Sequence, residues 1–160
     1  MMQETEQKIE QEQRPLTIPV AVLRRKGEVF VVREKNPEKY TTNEWRYLTG
    51  RPHRGEEGPE DLPGLVKECG FRITGTKTLG SIDGDGNHSY FAQGPVRFDL
   101  YLCPVVAGDF APELIHPNKD SIQNQYSRCE GKWFKKRELK KEKYLHPLVE
   151  KSLELLKGKR

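Results

Sequence analysis

Two aliphatic and β-branched runs open the ordered pattern of this chain, Thr17 to Leu23 and Glu28 to Arg33, separated by the charged, glycine-closed segment Arg24-Arg25-Lys26-Gly27. That arrangement predicts a β-hairpin. Glu44 to Thr49 is a short aromatic segment ending at Gly50, after which glycine, proline and charge dominate up to Leu62. Leu62 to Cys69 then reads as a short helix, with Pro63 in its first turn, where the missing N–H has no partner in any case, and Gly70 as its stop. Phe71 to Ser81, His88 to Gln93 and Val96 to Val106 read as strands, the last as an apolar run buried on both faces. A polar insertion, Glu113 to Cys129, precedes a Lys132-Trp133-Phe134 strand. His146-Pro147 opens a closing helix, whose narrow apolar face is Leu148, Val149, Ser152, Leu153 and Leu156.

The predicted order, β-β-(loop-helix)-β-β-β-β-α, is an α+β mixed sheet with helices packed on it. Residues 1–14 are almost wholly polar and stop at Pro15. They bury too little apolar surface to offset the entropy of ordering, so they are expected to form a flexible tail on one domain spanning residues 15–160. A 160-residue chain buries about 70% of its unfolded surface, enough for a core without metal or disulfide.

Composition narrows the setting. The apolar stretches fall well short of the ~20 residues a membrane span needs, and the N-terminus lacks the basic-then-apolar order of a secretory signal. A cytoplasmic protein without a membrane role is expected. Cys69, Cys103 and Cys129 are too widely spaced for a zinc ribbon or a disulfide framework, and His53, His88, His116 and His146 are equally scattered. Asp83-x-Asp85-x-Asn87 begins like a calcium loop, but His88 holds the position that needs glycine, so it reads as a strand connection. Net charge is +4, yet residues 132–160 carry 11 Lys and Arg against 4 Asp and Glu. The C-terminal face is therefore basic, which suits a solvated surface, RNA or a protein partner.

Candidate chemistry concentrates in GRPHRGEEGPEDLPGLVKECG, residues 50–70, which holds Glu56, Glu57, Glu60, Asp61 and Glu68. Clustered carboxylates suit a hard divalent cation that bridges phosphates. Arg46, Arg51, His53 and Arg54 add positive charge around them, and Trp45, Tyr47, Tyr90 and Phe91 are candidates for stacking on a base. Alternation in Trp45-Arg46-Tyr47 lets at most one side of that segment face a ligand.

This stretch resembles the box of the Nudix superfamily, which runs glycine, five residues, glutamate, seven residues, then Arg-Glu-apolar-x-Glu-Glu-x-Gly-apolar. Gly50 and Glu56 match the first two anchors, and Glu68-Cys69-Gly70-Phe71 the last four positions. Trp45 to Gly50, the Arg97 to Val106 strand, Trp133 followed by Leu139, and the His146-Pro147 helix are similar to the diadenosine-polyphosphate-hydrolase-like branch. The resemblance implies a Nudix-like α/β/α sandwich, with Mg2+ or Mn2+ as cofactor if the chain is active. It also implies metal contacts from Gly50, Glu56, Glu57 and Glu68, with Glu68 the catalytic ligand. Arg46, Tyr47, Arg51 and Lys67 are the expected substrate-binding residues.

Counted back from Gly70, with one residue missing from the seven-residue spacer, the box arginine falls on Pro63, and its helix glutamates fall on Gly64, Lys67 and Glu68. The box is thus degenerate. Relative to the pattern, a lost carboxylate and a carboxylate turned ammonium raise the local charge by three units. At an effective dielectric near 20, each unit at 4 Å is worth ~4 kcal/mol toward a cation. Two functions stay open: a protein that binds a nucleotide or other diphosphate with weakened or lost pyrophosphohydrolase activity, or a non-catalytic scaffold whose basic C-terminal face takes RNA or a protein partner. The sequence does not give the oligomeric state.

Overall fold

A computed structural model describes residues 16–35, 43–53, 59–84, 96–115 and 126–157. The hairpin forms as β1 (Leu16–Arg25) and β2 (Glu28–Glu34), with Lys26 and Gly27 both in the left-handed region at its turn. β1 also runs parallel to β6 (Val96–Gly108) from Leu16↔Val96 to Arg24↔Pro104, and β7 (Cys129–Lys135) closes the far edge against β2. The sheet has seven strands, in which β4 (Phe71–Ile73), β6, β1, β2 and β7 follow one another, with β3 (Leu48–Thr49) on β1 and β5 (Lys77–Gly84) on β6. Its mixed parallel and antiparallel pairing follows from that central parallel β1–β6 contact.

Alternation along β1 and β2 sorts the core into two layers. Ile18, Val20, Val22, Val29 and Val31 face one side, where they meet Leu148, Val149 and Leu156 of the closing helix α3 (Pro147–Leu155) and its cap. Ala21, Leu23, Phe30 and Val32 face the other, against Leu62, Leu65 and Val66 of α1 (Leu62–Glu68). The molecule is therefore an α/β/α sandwich of the expected class. Each fully buried Leu or Val contributes roughly 1.5–3 kcal/mol, more than the ~1 kcal/mol that Gly64 costs inside α1. Packing, rather than helix propensity, holds this seven-residue helix.

Two expectations change. The single strand expected from Phe71 to Ser81 is two, β4 (Phe71–Ile73) and β5, lying end to end along one edge of β6. The break falls at Thr74–Thr76, where Gly75 has φ +157°. β6 is not buried on both faces: Val96, Phe98 and Leu100 are buried, whereas Arg97, Asp99 and Tyr101 are half-buried, and from Cys103 onward the buried side switches. The cause is a stagger. α3 covers the N-terminal half of β6 on one face, and α1 covers its C-terminal half on the other.

A further short helix, α2 (Lys136–Leu139), follows β7 and is fixed by the Glu138 carboxylate, which accepts from the Lys135 N–H at 2.8 Å. The expected strand His88–Gln93, the residues 1–14 tail and most of the polar insertion lie outside the described residues. α3 opens at His146-Pro147 as expected, and the His146 side chain caps it, its Nδ1 accepting from the Leu148 N–H at 3.1 Å. No helix among the described residues is long and apolar enough to cross a membrane.

Candidate functional site

The segment after Tyr47 lies antiparallel along the N-terminal half of β1. Leu48 pairs with Ala21, the Gly50 N–H donates to the Pro19 carbonyl at 2.8 Å, and Thr17 and His53 exchange backbone bonds of 2.7 and 2.8 Å. Gly50 is required by a close approach, since a Cβ there would lie 2.6 Å from Asp61 Oδ2 and 2.9 Å from Pro19 Cγ. Asp61 stands at the N-cap of α1 but makes no cap bond with its side chain. Its carboxylate instead accepts from the Arg51 N–H at 2.7 Å. One hydrogen bond thus ties the first residue after Gly50 to the start of the helix and pins both ends of the acidic loop.

At its other end, α1 stops where sequence reading placed the stop. Gly70 has φ +107°, and a Cβ on it would sit 2.3 Å from the Asp109 carbonyl oxygen. Between these ends Leu62, Leu65, Val66 and Cys69 point inward, leaving Pro63, Gly64, Lys67 and Glu68 exposed. At 100° per residue, Gly64 and Glu68 share one flank, while Pro63 and Lys67 share the other.

Beneath the helix, the Tyr126 hydroxyl accepts from the Thr49 N–H at 2.7 Å and lies 3.1 Å from its Oγ1. Burial pushes this phenol up to about 12. Tyr126 thereby supports the strand entering the box, a role sequence reading missed inside the polar insertion; a lone aromatic among Gln, Asn and Ser was the available signal. Burial also raises the Cys69 thiol to about 12, with the neighbouring Glu68 carboxylate adding to the effect.

The open half of the α1 face brings further polar groups together. Period-two alternation puts Arg97, Asp99 and Tyr101 in one row on β6, opposite Ser81 of β5. The Ser81 hydroxyl donates to Asp99 Oδ1 at 2.8 Å, and Arg97 Nε lies 3.1 Å from the same oxygen. The Tyr101 phenol is raised by burial, then by Asp99 and by Glu60 from the loop, with Arg97 acting in the opposite sense. Among the described residues no three His, Cys, Asp or Glu side chains come together in a way that could hold a metal ion.

The predicted site residues separate accordingly. Gly50, Arg51, Lys67 and Glu68 lie along the loop and helix of the box. Arg46 turns toward the α1 face, and its Nη2 donates to Cys129 Sγ at 3.7 Å. Tyr47, expected to bind substrate, is corrected to a core residue. It is 1% exposed and faces α3, its hydroxyl 2.7 Å from Ser152 Oγ, and burial raises it to about 12. The reason is the same alternation that turns Arg46 the other way. Trp45 is likewise buried, edge-on to Phe134 at 5.2 Å. Glu56, Glu57, Arg54, Tyr90 and Phe91 lie outside the described residues.

No protein-family model matches the sequence, and no curated protein matches it either. Solved structures do. A NUDIX hydrolase from Nitrosomonas europaea superposes with a TM-score of 0.62 at 17% identity, covering 92% of this chain and 92% of that one. The MutT protein from Methanosarcina mazei Go1 gives 0.62 at 17% identity, over 93% of this chain and 99% of that one. The chain has the Nudix hydrolase fold. A hydrolase of ADP compounds shares it at a TM-score of 0.59 and 13% identity, over 91% of this chain and 76% of that one. At these identities the likeness extends to the fold, and the catalytic assignments rest on the residues themselves.

Proposed function

We propose that this Nudix-fold chain binds a nucleotide or another diphosphate-containing small molecule beside α1, with metal-dependent pyrophosphohydrolysis weakened or lost. The observation that carries the reading is the exposed surface of α1. Where the Nudix pattern sets a cluster of carboxylates, this helix presents Gly64, Lys67 and a single carboxylate, Glu68. The kinship in fold with a hydrolase of ADP compounds supports the ligand class.

The described residues alone do not fit Mg2+ or Mn2+, because no three potential ligands come together and an ammonium sits on the helix. Such a dication depends on several clustered oxygen ligands. Gly50 and Glu68 are the described positions that match the pattern's metal contacts; Glu56 and Glu57 are its loop positions. The cations are better suited to the task that remains. We assign the holding of a diphosphate to the cations of the box itself, Lys67 as a point charge and Arg51 as a planar donor.

The test is a titration of the full chain with dinucleoside polyphosphates, nucleoside triphosphates and sugar nucleotides, with and without Mg2+ or Mn2+. Saturable binding without metal, and turnover far below about 1 s−1 with it, is expected. Enzyme-like turnover that Glu68→Gln abolishes would show a working hydrolase and overturn the reading.

A second reading rests on a different surface. Lys132, Lys135, Arg137, Lys140, Lys141 and Lys143 are all exposed around β7, α2 and the turn after it, beside Tyr144 at 56% exposure. A cationic patch with an aromatic at its edge suits RNA or an acidic partner. Salt-sensitive RNA binding, with no response to any nucleotide, would favour it.

A further inference from the structure

The stagger of α1 and α3 leaves a second open quarter of the sheet, at the C-terminal ends of β1 and β6 beyond α3. There Arg24, Arg25 and Lys26, with Leu102, Pro104 and Val106, line a cavity of about 560 Å3. Its lining carries no carboxylate; Arg24 and Lys26 supply its cations, while the Arg25 side chain turns to the other face of the sheet. Pro104 and Val106 are exposed, Val106 at 54%, so the floor is apolar and open.

The cations are held in place by the fold. Arg25 stacks 4.3 Å over the Trp133 ring and donates from Nη1 to the Gly108 carbonyl at 3.2 Å. Arg24 is 8% exposed on the sheet face. Lys26 has φ +51°, a left-handed conformation that costs a non-glycine residue roughly 1–2 kcal/mol. Hairpin turns of this kind usually take Asn or Gly there. A lysine in that place sets an ammonium on the cavity rim at the expense of the turn.

We infer that this cavity binds a nucleoside monophosphate, its phosphate held by Arg24 and Lys26 and its base and sugar lying on Leu102, Pro104 and Val106. A phosphomonoester carries about −1.5 to −2 at pH 7, which answers the paired cations Arg24 and Lys26 better than a carboxylate does. The volume lies within the ~300–1,000 Å3 of small-molecule sites. Five residue steps along β1 separate Arg24 from Pro19 at the box, roughly 17 Å of strand. The site is thus distinct from the diphosphate site proposed above and independent of it.

The experiment is a metal-free amide NMR titration of the full chain with adenosine 5′-monophosphate, adenosine and inorganic phosphate. Adenosine 5′-monophosphate is expected to shift the amides of Lys26, Gly27 and Val106 saturably and to bind more tightly than either of its parts. Lys26→Gly relieves the left-handed strain, so it should keep or raise the melting temperature while weakening the nucleotide about tenfold. Val106→Asp, at an exposed position, should weaken it at least as much. Shifts confined to Gly50, Arg51 and Glu68, equal binding of inorganic phosphate, or unchanged affinity in both variants would overturn the inference. Failure of the diphosphate reading would appear instead at the amides around Gly50, leaving these intact.

Discussion

Asp61 accepts a hydrogen bond from the Arg51 backbone N–H at 2.7 Å, and the same carboxylate oxygen lies 2.6 Å from where a Cβ on Gly50 would be. The acid that closes the loop is therefore also what requires glycine at its start. Asp61→Ala should cost about 1 kcal/mol, below the ~1.5–3 kcal/mol of charge-assisted bonds because this one is exposed to solvent, and should speed exchange of the Arg51 amide. Gly50→Ala should cost about 1–3 kcal/mol by overpacking. In the double variant the penalties should fall short of their sum, because the Asp61 clash is gone and only the Pro19 contact remains. Urea unfolding of the four proteins measures this, and strict additivity would mean that the two residues do not interact.

Tyr47 and Ser152 form the other pairing that sequence reading assigned differently. Tyr47→Phe removes a buried hydroxyl, while Ser152 keeps its bond to the Val149 carbonyl at 2.6 Å. A loss of about 0.5–1.5 kcal/mol in stability is expected, with ligand affinity unchanged. Weaker nucleotide binding at unaltered stability would return Tyr47 to the site.

Much of this arrangement is legible from local pattern. The hairpin follows from two aliphatic runs around Lys26-Gly27, the α3 start from His146-Pro147, and the α1 stop from Gly70, each a short-range signal with a local physical cause. What was not legible depends on partners distant in sequence. The half-burial of β6 arises because α1 and α3 are offset, and no window along Val96–Val106 contains that offset. Tyr47 looked available to a ligand because Trp45-Arg46-Tyr47 shows two sides without saying which one α3 would cover. Tyr126 meets Thr49 across 77 residues. The comparison with the Nudix pattern, in contrast, needs no fold, since Gly64 and Lys67 stand where that pattern has glutamates.

Alkali should unfold the protein through its buried acids. Burial raises Cys69 and Cys103 from 9.0 to about 12, and Tyr47 and Tyr126 from 10.0 to about 12. In each case the unfolded chain loses its proton first, so the stabilisation is complete below the unfolded value and is lost as pH climbs through the folded one. Stability should be level near neutrality, start to fall near pH 9 and steepen beyond pH 10. Each ionising group contributes about 1.4 kcal/mol per pH unit at full slope. Denaturant titrations from pH 7 to 11 measure the curve, and Cys103→Ala should flatten its first part. A stability that holds to pH 11 would contradict the burial of these four groups.

Gly64 offers the most direct test of the proposal that α1 lacks carboxylates a metal would need. A Cβ there meets nothing within 4 Å, and Lys67 is exposed on the adjoining flank, so carboxylates can be put back at both positions without steric cost. Gly64→Glu gains helix propensity of roughly 0.5–1 kcal/mol, offset by a few tenths from repulsion with Glu68 one turn on. The doubly substituted chain, Gly64→Glu with Lys67→Glu, should fold at least as well as the parent in the absence of metal. Its helix is then three charge units more negative, and it should bind Mn2+ measurably more tightly, read as line broadening at the Glu68 amide and a metal-dependent rise in melting temperature. If pyrophosphohydrolysis is limited by those two positions, the same substitutions should raise it, and Glu68→Gln should cancel the gain. Tighter metal binding without turnover would place the loss beyond the helix, in the loop that Asp61 pins. No change in metal binding would show that α1 does not face the metal position, and would remove the basis for treating the helix as an altered box.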